Sequence, residues 1–133
     1  MKDIYKGEIM EKIVIFGATG AIGAASARRL HSAGYALHLV GRKEAVLQNL
    51  AAELDASFTY GDVLAQEVFT RVAEEAGDAV HGLVYAVGTL NLKNLNRLTE
   101  EDFIQDFRIN ALGAALAVQA LLPALKKSAT PSS

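Results

Sequence analysis

Four short runs that each stop at a glycine punctuate this chain. They are Ile13-Val14-Ile15-Phe16 before Gly17, Ala36-Leu37-His38-Leu39-Val40 before Gly41, Ser57-Phe58-Thr59-Tyr60 before Gly61, and residues 81–87 before Gly88. None is long enough to read as a helix. Between them lie segments with apolar residues at helical spacing. The spacing predicts helices over 21–33, closed by Gly34, over 44–54, with Val46, Leu47, Leu50, Ala51 and Leu54, and over 65–76, with Val68, Phe69 and Val72 on one face. Strands that alternate with helices of about 10–15 residues imply right-handed crossovers and a parallel sheet covered on both faces. The chain therefore reads as an α/β, doubly wound parallel sheet of the Rossmann kind, with strand order 3-2-1-4.

The segment Gly17-Ala18-Thr19-Gly20-Ala21-Ile22-Gly23 joins the first strand to the first helix. A tight turn there needs permissive dihedrals, and a diphosphate needs close approach to the backbone. The helix N-terminus supplies N–H groups and the positive end of a dipole. A glycine trio alone is weak evidence; between a buried strand and a helix it becomes a dinucleotide-binding signal. The competing reading is a glycine turn that merely packs helix on strand. The end of the second strand discriminates between coenzymes, since an acidic residue there binds a ribose 2′-hydroxyl and an arginine accommodates a 2′-phosphate. This strand ends Val40-Gly41-Arg42, with no Asp or Glu before Glu44. Arg42 offers a forked donor, and NADP(H) is favoured over NAD(H).

With these residues in view, the chain resembles the N-terminal half of a short-chain dehydrogenase/reductase from about residue 12 to 127. Phe16-Gly17-Ala18-Thr19-Gly20-Ala21-Ile22-Gly23 resembles the family's Thr-Gly-x-x-x-Gly/Ala-x-Gly signature, with Phe16 in place of Thr. The resemblance implies that Asp62-Val63 faces the adenine, that Gly88 ends the cofactor-facing fourth strand, and that Asn110 is the helical Asn of a catalytic tetrad. Tyr85-Ala86-Val87-Gly88 departs from the family's Asn-Asn-Ala-Gly in all but Gly88. The family's catalytic Ser follows a fifth strand, with Tyr-x-x-x-Lys on the next helix, and the 133 residues end before either. None of Tyr5, Tyr35, Tyr60 and Tyr85 has a Lys four residues later; Ile9, Leu39, Leu64 and Thr89 stand there. A Tyr serves as proton donor near neutral pH only beside a cation that lowers its pKa. The resemblance thus implies an oxidoreductase that transfers hydride between nicotinamide and a carbonyl or alcohol substrate, of which these 133 residues alone bind coenzyme without turnover. Two other readings stay open: a non-catalytic dinucleotide sensor, and an interaction module.

The interaction reading comes from the last helix, expected over 100–126 and started by the capping box Thr99-x-x-Asp102. From Ala111 to Leu122 it is apolar on nearly every side. Alanine enrichment for helix propensity explains this; so does a second covering layer, which predicts a homo-oligomer through this helix. The remaining expectations are exclusions. The 13 Lys plus Arg against 15 Asp plus Glu leave a net charge of −2, without the basic excess that nucleic acid requires. The absence of cysteine excludes disulfides and thiolate zinc sites and fits a reducing, cytoplasmic compartment. His31, His38 and His81 have no metal-ligand spacing. The Arg28-Arg29 pair faces solvent in this reading, with Arg28 also a candidate for phosphate charge. The most apolar stretch, 111–125, is shorter than the ~20 residues of a membrane span and holds Gln119 and Pro123. Residues 1–11 read as an N-terminal extension, 12–127 as one domain, 89–98 as a polar loop and 128–133 as a frayed tail.

Overall fold

A strand whose side chains are apolar on both faces can be buried only in the middle of a covered sheet. In the computed structural model, which describes residues 10–88 and 97–129, Val14, Ile15 and Phe16 take this central place and are fully buried. Along the chain the elements are β1 (Lys12–Phe16), α1 (Ala21–Ser32), β2 (Ala36–Gly41), α2 (Glu44–Leu54), β3 (Ser57–Tyr60), α3 (Glu67–Ala76), β4 (Gly82–Tyr85), α4 (Glu100–Phe107), a π-helical turn (Arg108–Leu112) and α5 (Gly113–Ala129). The sheet order is β3-β2-β1-β4 with every neighbour parallel, as the alternation predicts. Successive β1 residues feed opposite cores. Val14 and Phe16 pack with Val68, Val72, Ala117 and Leu121 from α3 and α5, while Ile15 packs with Ala27, Leu47 and Leu50 from α1 and α2. The expected loop at 89–98 lies, through residue 96, outside the described residues, as do 1–9 and 130–133.

The β1, α1 and β2 boundaries each differ from the sequence reading by one residue, and three others differ with a structural reason. β4 spans Gly82–Tyr85 rather than 81–87, because its pairing with β1 ends where Phe16 meets Tyr85. α3 starts at Glu67 rather than 65: the Asp62 carboxylate accepts from the Leu64 amide at 2.9 Å, and the chain makes a turn before helical bonding begins. The last helix runs on through Ala129, and Ser128 is not frayed. Its hydroxyl donates to the Val80 carbonyl, and Lys127 pairs with Asp78 at 2.7 Å.

The expected capping box forms with both halves present. The Asp102 amide donates to Thr99 Oγ1 at 3.2 Å, and the Thr99 amide donates to Asp102 Oδ2 at 3.0 Å. Only Gly113, Ala117 and Leu121 of α5 are buried, at intervals of one turn. The continuous helix Glu100–Ala129, 30 residues, is long and apolar enough to cross a membrane by length and composition, which corrects the expectation that no segment reaches that length. Its buried residues Ala117 and Leu121 pack in the sheet's core. Phe103, Ile104, Phe107, Val118 and Leu122 are exposed. Leu121→Ala is therefore expected to cost about 2–4 kcal/mol in urea unfolding, and Leu122→Ala less than about 1; equal losses would contradict this packing.

One polar chain crosses the otherwise apolar sheet. His38 is fully buried, with Nδ1 2.7 Å from Ser57 Oγ and Nε2 2.8 Å from Thr59 Oγ1; the Thr59 hydroxyl donates to Glu75 at 2.5 Å. Because Thr59 spends its proton on Glu75, Nε2 carries the imidazole proton and Nδ1 accepts from Ser57. Burial, reinforced by the Lys12 charge and opposed by Glu75, lowers the His38 pKa from 6.5 to about 4. The unfolded chain takes up this proton near pH 6.5, and the fold resists it until about pH 4. Stability from neutral His38 is thus whole above pH 6.5, declines as pH falls and levels off near pH 4, a loss on the order of 3 kcal/mol. His38→Gln, which keeps hydrogen-bonding capacity, is expected to flatten the pH dependence of unfolding in that window. Parallel profiles for the two proteins would contradict it.

Candidate functional site

The loop after β1 is shaped by contacts too close for side chains. Gly17 has φ +79°, and a Cβ there would lie 2.6 Å from the Ala86 carbonyl oxygen. Its amide and that of Ala18 both donate to the Val40 carbonyl at 3.0 Å, so the loop is pinned to the end of β2. A Cβ on Gly23 would lie 1.9 Å from the Gly17 oxygen, which fixes α1 hard against the loop. Gly20 is different. Its φ of −83° and ψ of 168° suit any residue, and a Cβ there would meet only the Gly17 oxygen, at an ordinary 3.5 Å. Packing thus accounts for Gly17 and Gly23 but not for Gly20. A bare backbone at Gly20 fits a surface that a diphosphate approaches closely.

The charge pattern agrees. α1 has no side-chain cap and no acidic residue in its first turn, whereas Glu44, Glu67 and Glu100 occupy the first turns of α2, α3 and α4. The α1 N-terminus is the one helix start among these four not offset by a carboxylate, and it faces the carboxyl end of the sheet. Arg28, a candidate for phosphate charge, instead makes a two-pronged contact with Glu53 of α2 at 2.8 and 3.1 Å.

A cleft of about 230 Å³ opens there, below the ~300–1,000 Å³ of typical ligand pockets. Of the residues singled out from sequence, Gly17, Thr19, Gly20, Arg42, Asp62, Val63 and Gly88 line it. Ala21 and Ile22 begin α1 outside the lining, where Ile22 is 75% exposed, and Gly23 is buried beneath the loop. Thr19 lies over Gly41, whose Cβ would meet its Cγ2 at 2.7 Å. Arg42 is exposed and 3.9 Å from Asp62, a separation at which a surface ion pair contributes little. Lys43, Gly61, Ala86, Val87 and Ile109 also line the cleft and were not singled out from sequence. Lys43, Gly61, Val87 and Ile109 were legible as chain neighbours of Arg42, Asp62, Gly88 and Asn110; Ala86 was not.

Ile109 and Asn110 are placed by the π-helical turn. The Tyr85 hydroxyl donates to the Ile109 carbonyl at 2.5 Å, and a Cβ on Gly113 would overlap that hydroxyl. The turn brings Ile109 into the cleft and leaves Asn110 exposed beside it, with Oδ1 3.6 Å from where a Cβ on Gly88 would lie. Burial, with the Asp62 charge second, raises the Tyr85 pKa from 10 to about 12. Tyr85 therefore stays a neutral donor to Ile109 and is a poor general acid near neutral pH.

Comparison with known proteins agrees with this architecture. The profile of the family described as short chain dehydrogenase matches residues 11–131. The oxidoreductase calI of Penicillium decumbens is 34% identical over 130 residues, 90% of this chain and 37% of its own length. A short chain dehydrogenase structure from Pseudomonas syringae superposes with a TM-score of 0.77 at 27% identity, covering 89% of this chain and 53% of that one. A short-chain oxidoreductase from Thermus thermophilus gives 0.71 at 30% identity, covering 81% and 50%. The chain thus spans about half the length of these solved structures and less of the curated relative.

The contrast between the glycines yields a test. Gly23→Ala is expected to destabilise the fold by about 2 kcal/mol or more, because backbone atoms must move. Gly20→Ala should change stability by less than about 1 kcal/mol while weakening coenzyme binding at least about tenfold. Thermal unfolding and calorimetric titration of both variants check this; a Gly20→Ala protein that binds like the parent would contradict it.

Proposed function

The chain belongs to the short-chain dehydrogenase family, which uses a nicotinamide dinucleotide, and from that premise we propose that residues 12–127 form the NADP(H)-binding part of an oxidoreductase acting on a carbonyl or alcohol. The observation that carries this is Gly20: a glycine its own fold does not require, at an uncapped helix start. When bound, the nicotinamide supplies or accepts the hydride.

This chain's residues do the holding. The first-turn amides of α1, from Ala21, Ile22 and Gly23, bind the diphosphate, with Thr19 closing the loop over Gly41. Asp62 and Val63 border the adenine, and Arg42 meets the 2′-phosphate. Ile109 and Val87 present apolar surface that excludes water from the cleft. Asn110 takes the place of the family's helical catalytic Asn. Tyr85 is committed to Ile109, and no Tyr-x-x-x-Lys pair occurs in the 133 residues, so these residues alone bind without turnover. The exposed apolar face of α4 and α5 supports a homo-oligomer through this helix. The absence of a basic excess supports a small-molecule substrate rather than nucleic acid, and the lack of cysteine supports the cytoplasm.

Calorimetric titration with NADPH and NADH tests the coenzyme reading. NADPH is expected to bind more tightly, and Arg42→Asp to weaken NADPH at least about tenfold more than NADH. Equal losses for the two coenzymes would overturn the NADP(H) assignment. Loss of nicotinamide absorbance on mixing the 133-residue chain with NADPH and a ketone, above the buffer rate, would overturn the predicted lack of turnover.

A further inference from the structure

Beside the main cleft, across the ends of β2 and β3, lies an open hollow lined by Arg42, Tyr60, Gly61, Asp62, Glu67 and Arg71. It shares Arg42, Gly61 and Asp62 with the cleft. Two local constraints build it. The Gly61 amide donates to the Gly41 carbonyl at 2.9 Å, drawing together the two strand ends from which Arg42 and Asp62 emerge. Gly61 has no side chain where one would lie 2.7 Å from Arg71 Nη2, so the Arg71 guanidinium can rest across the end of β3. Its Nε donates to Glu67 one turn earlier on α3, at 3.0 Å, which fixes the plane of the group.

Arg42 faces Asp62 at 3.9 Å and Arg71 pairs with Glu67 at 3.0 Å, so the four charges of the hollow cancel. A phosphomonoester carries nearly two negative charges near neutral pH, and what the hollow offers it is two guanidinium forks rather than a net positive charge. Arg71 is the second cation of this hollow; Lys43, the neighbouring cation, lines only the main cleft. Resting on the NADP(H) reading above, we propose that Arg71 is a second specificity-determining residue: with Arg42 it forms a two-guanidinium clamp for the phosphate on the adenosine ribose. Glu67 acts as a positioning residue that holds Nε and turns the guanidinium toward Gly61. Arginine suits this role because its planar fork donates two parallel hydrogen bonds, which an ammonium cannot.

The test is calorimetric titration of the 133-residue chain with NADPH and NADH for the parent, Arg42→Gln, Arg71→Gln and Arg71→Lys, each checked for an unchanged circular dichroism spectrum. The parent should prefer NADPH. Arg71→Gln should weaken NADPH about tenfold and shift NADH by less than about twofold, and Arg71→Lys should recover part of the loss. If Arg42→Gln removes the preference while Arg71→Gln leaves NADPH within about twofold, the clamp is wrong and the NADP(H) reading stands. Equal weakening of both coenzymes by Arg71→Gln, or a failure of that variant to fold accompanied by unaltered preference in Arg71→Lys, also overturns the clamp. A parent that binds NADH as tightly as NADPH, or neither, overturns the NADP(H) reading and the clamp with it.

Discussion

The architecture depends on how closely α1 approaches the end of β1. With only hydrogen at Gly23, the first turn of the helix rests on the Gly17 carbonyl, nearer than any side chain permits. That contact sets the angle at which α1 leaves the sheet. It also places the uncompensated N–H groups of α1 at the carboxyl ends of the strands rather than over solvent. Two amides donating to the Val40 carbonyl then tie the loop to β2, and the Ala86 amide, donating to Phe16 at 2.9 Å, ties the end of β4 to β1. The cleft is the space these strand ends, with that of β3, leave once the loop is fixed. It lies where open α/β sheets bind ligands, beside the strand at which the winding order reverses.

Electrostatics follow from the same geometry. Acidic residues offset the dipoles of α2, α3 and α4, and surface pairs such as Arg28–Glu53 and Lys127–Asp78 fasten elements at the periphery. Of the first four helices, α1 alone begins without an acidic residue, above a loop of small residues. The buried polar groups are likewise organised: the Ser57–His38–Thr59–Glu75 chain satisfies the imidazole within the sheet, away from the cleft, so its cost is met by hydrogen bonds rather than by function.

Much of this was legible in the sequence because it rests on local patterns. Glycine-ended apolar runs alternating with helical periodicity specify a parallel sheet, and Gly17, Gly20 and Gly23 announce the tight loop between β1 and α1. Thr99 and Asp102 announce the start of α4. What was not legible depends on contacts between distant residues. The π-helical turn exists where the Tyr85 hydroxyl, 24 residues away, reaches the Ile109 carbonyl and needs Gly113 bare. No periodicity within the helix signals that turn, although Ile109 is the chain neighbour of Asn110. In sequence, Arg71 looks like half of an ordinary one-turn ion pair with Glu67; its position over Gly61 emerges only once β3 and α3 are folded together. The apolar spacing places the start of α3 two residues too early because an Asp62 side-chain turn competes with helix there.

The central claim is that the backbone amides at the start of α1 hold the diphosphate of a pyridine dinucleotide. The most direct measurement is an amide-resolved NMR titration of the folded chain with NADPH. The account predicts that the largest shifts fall on Gly20, Ala21 and Ile22, with smaller ones at Arg42 and Asp62. A well-dispersed spectrum in which those amides stay unmoved at saturating coenzyme would contradict it.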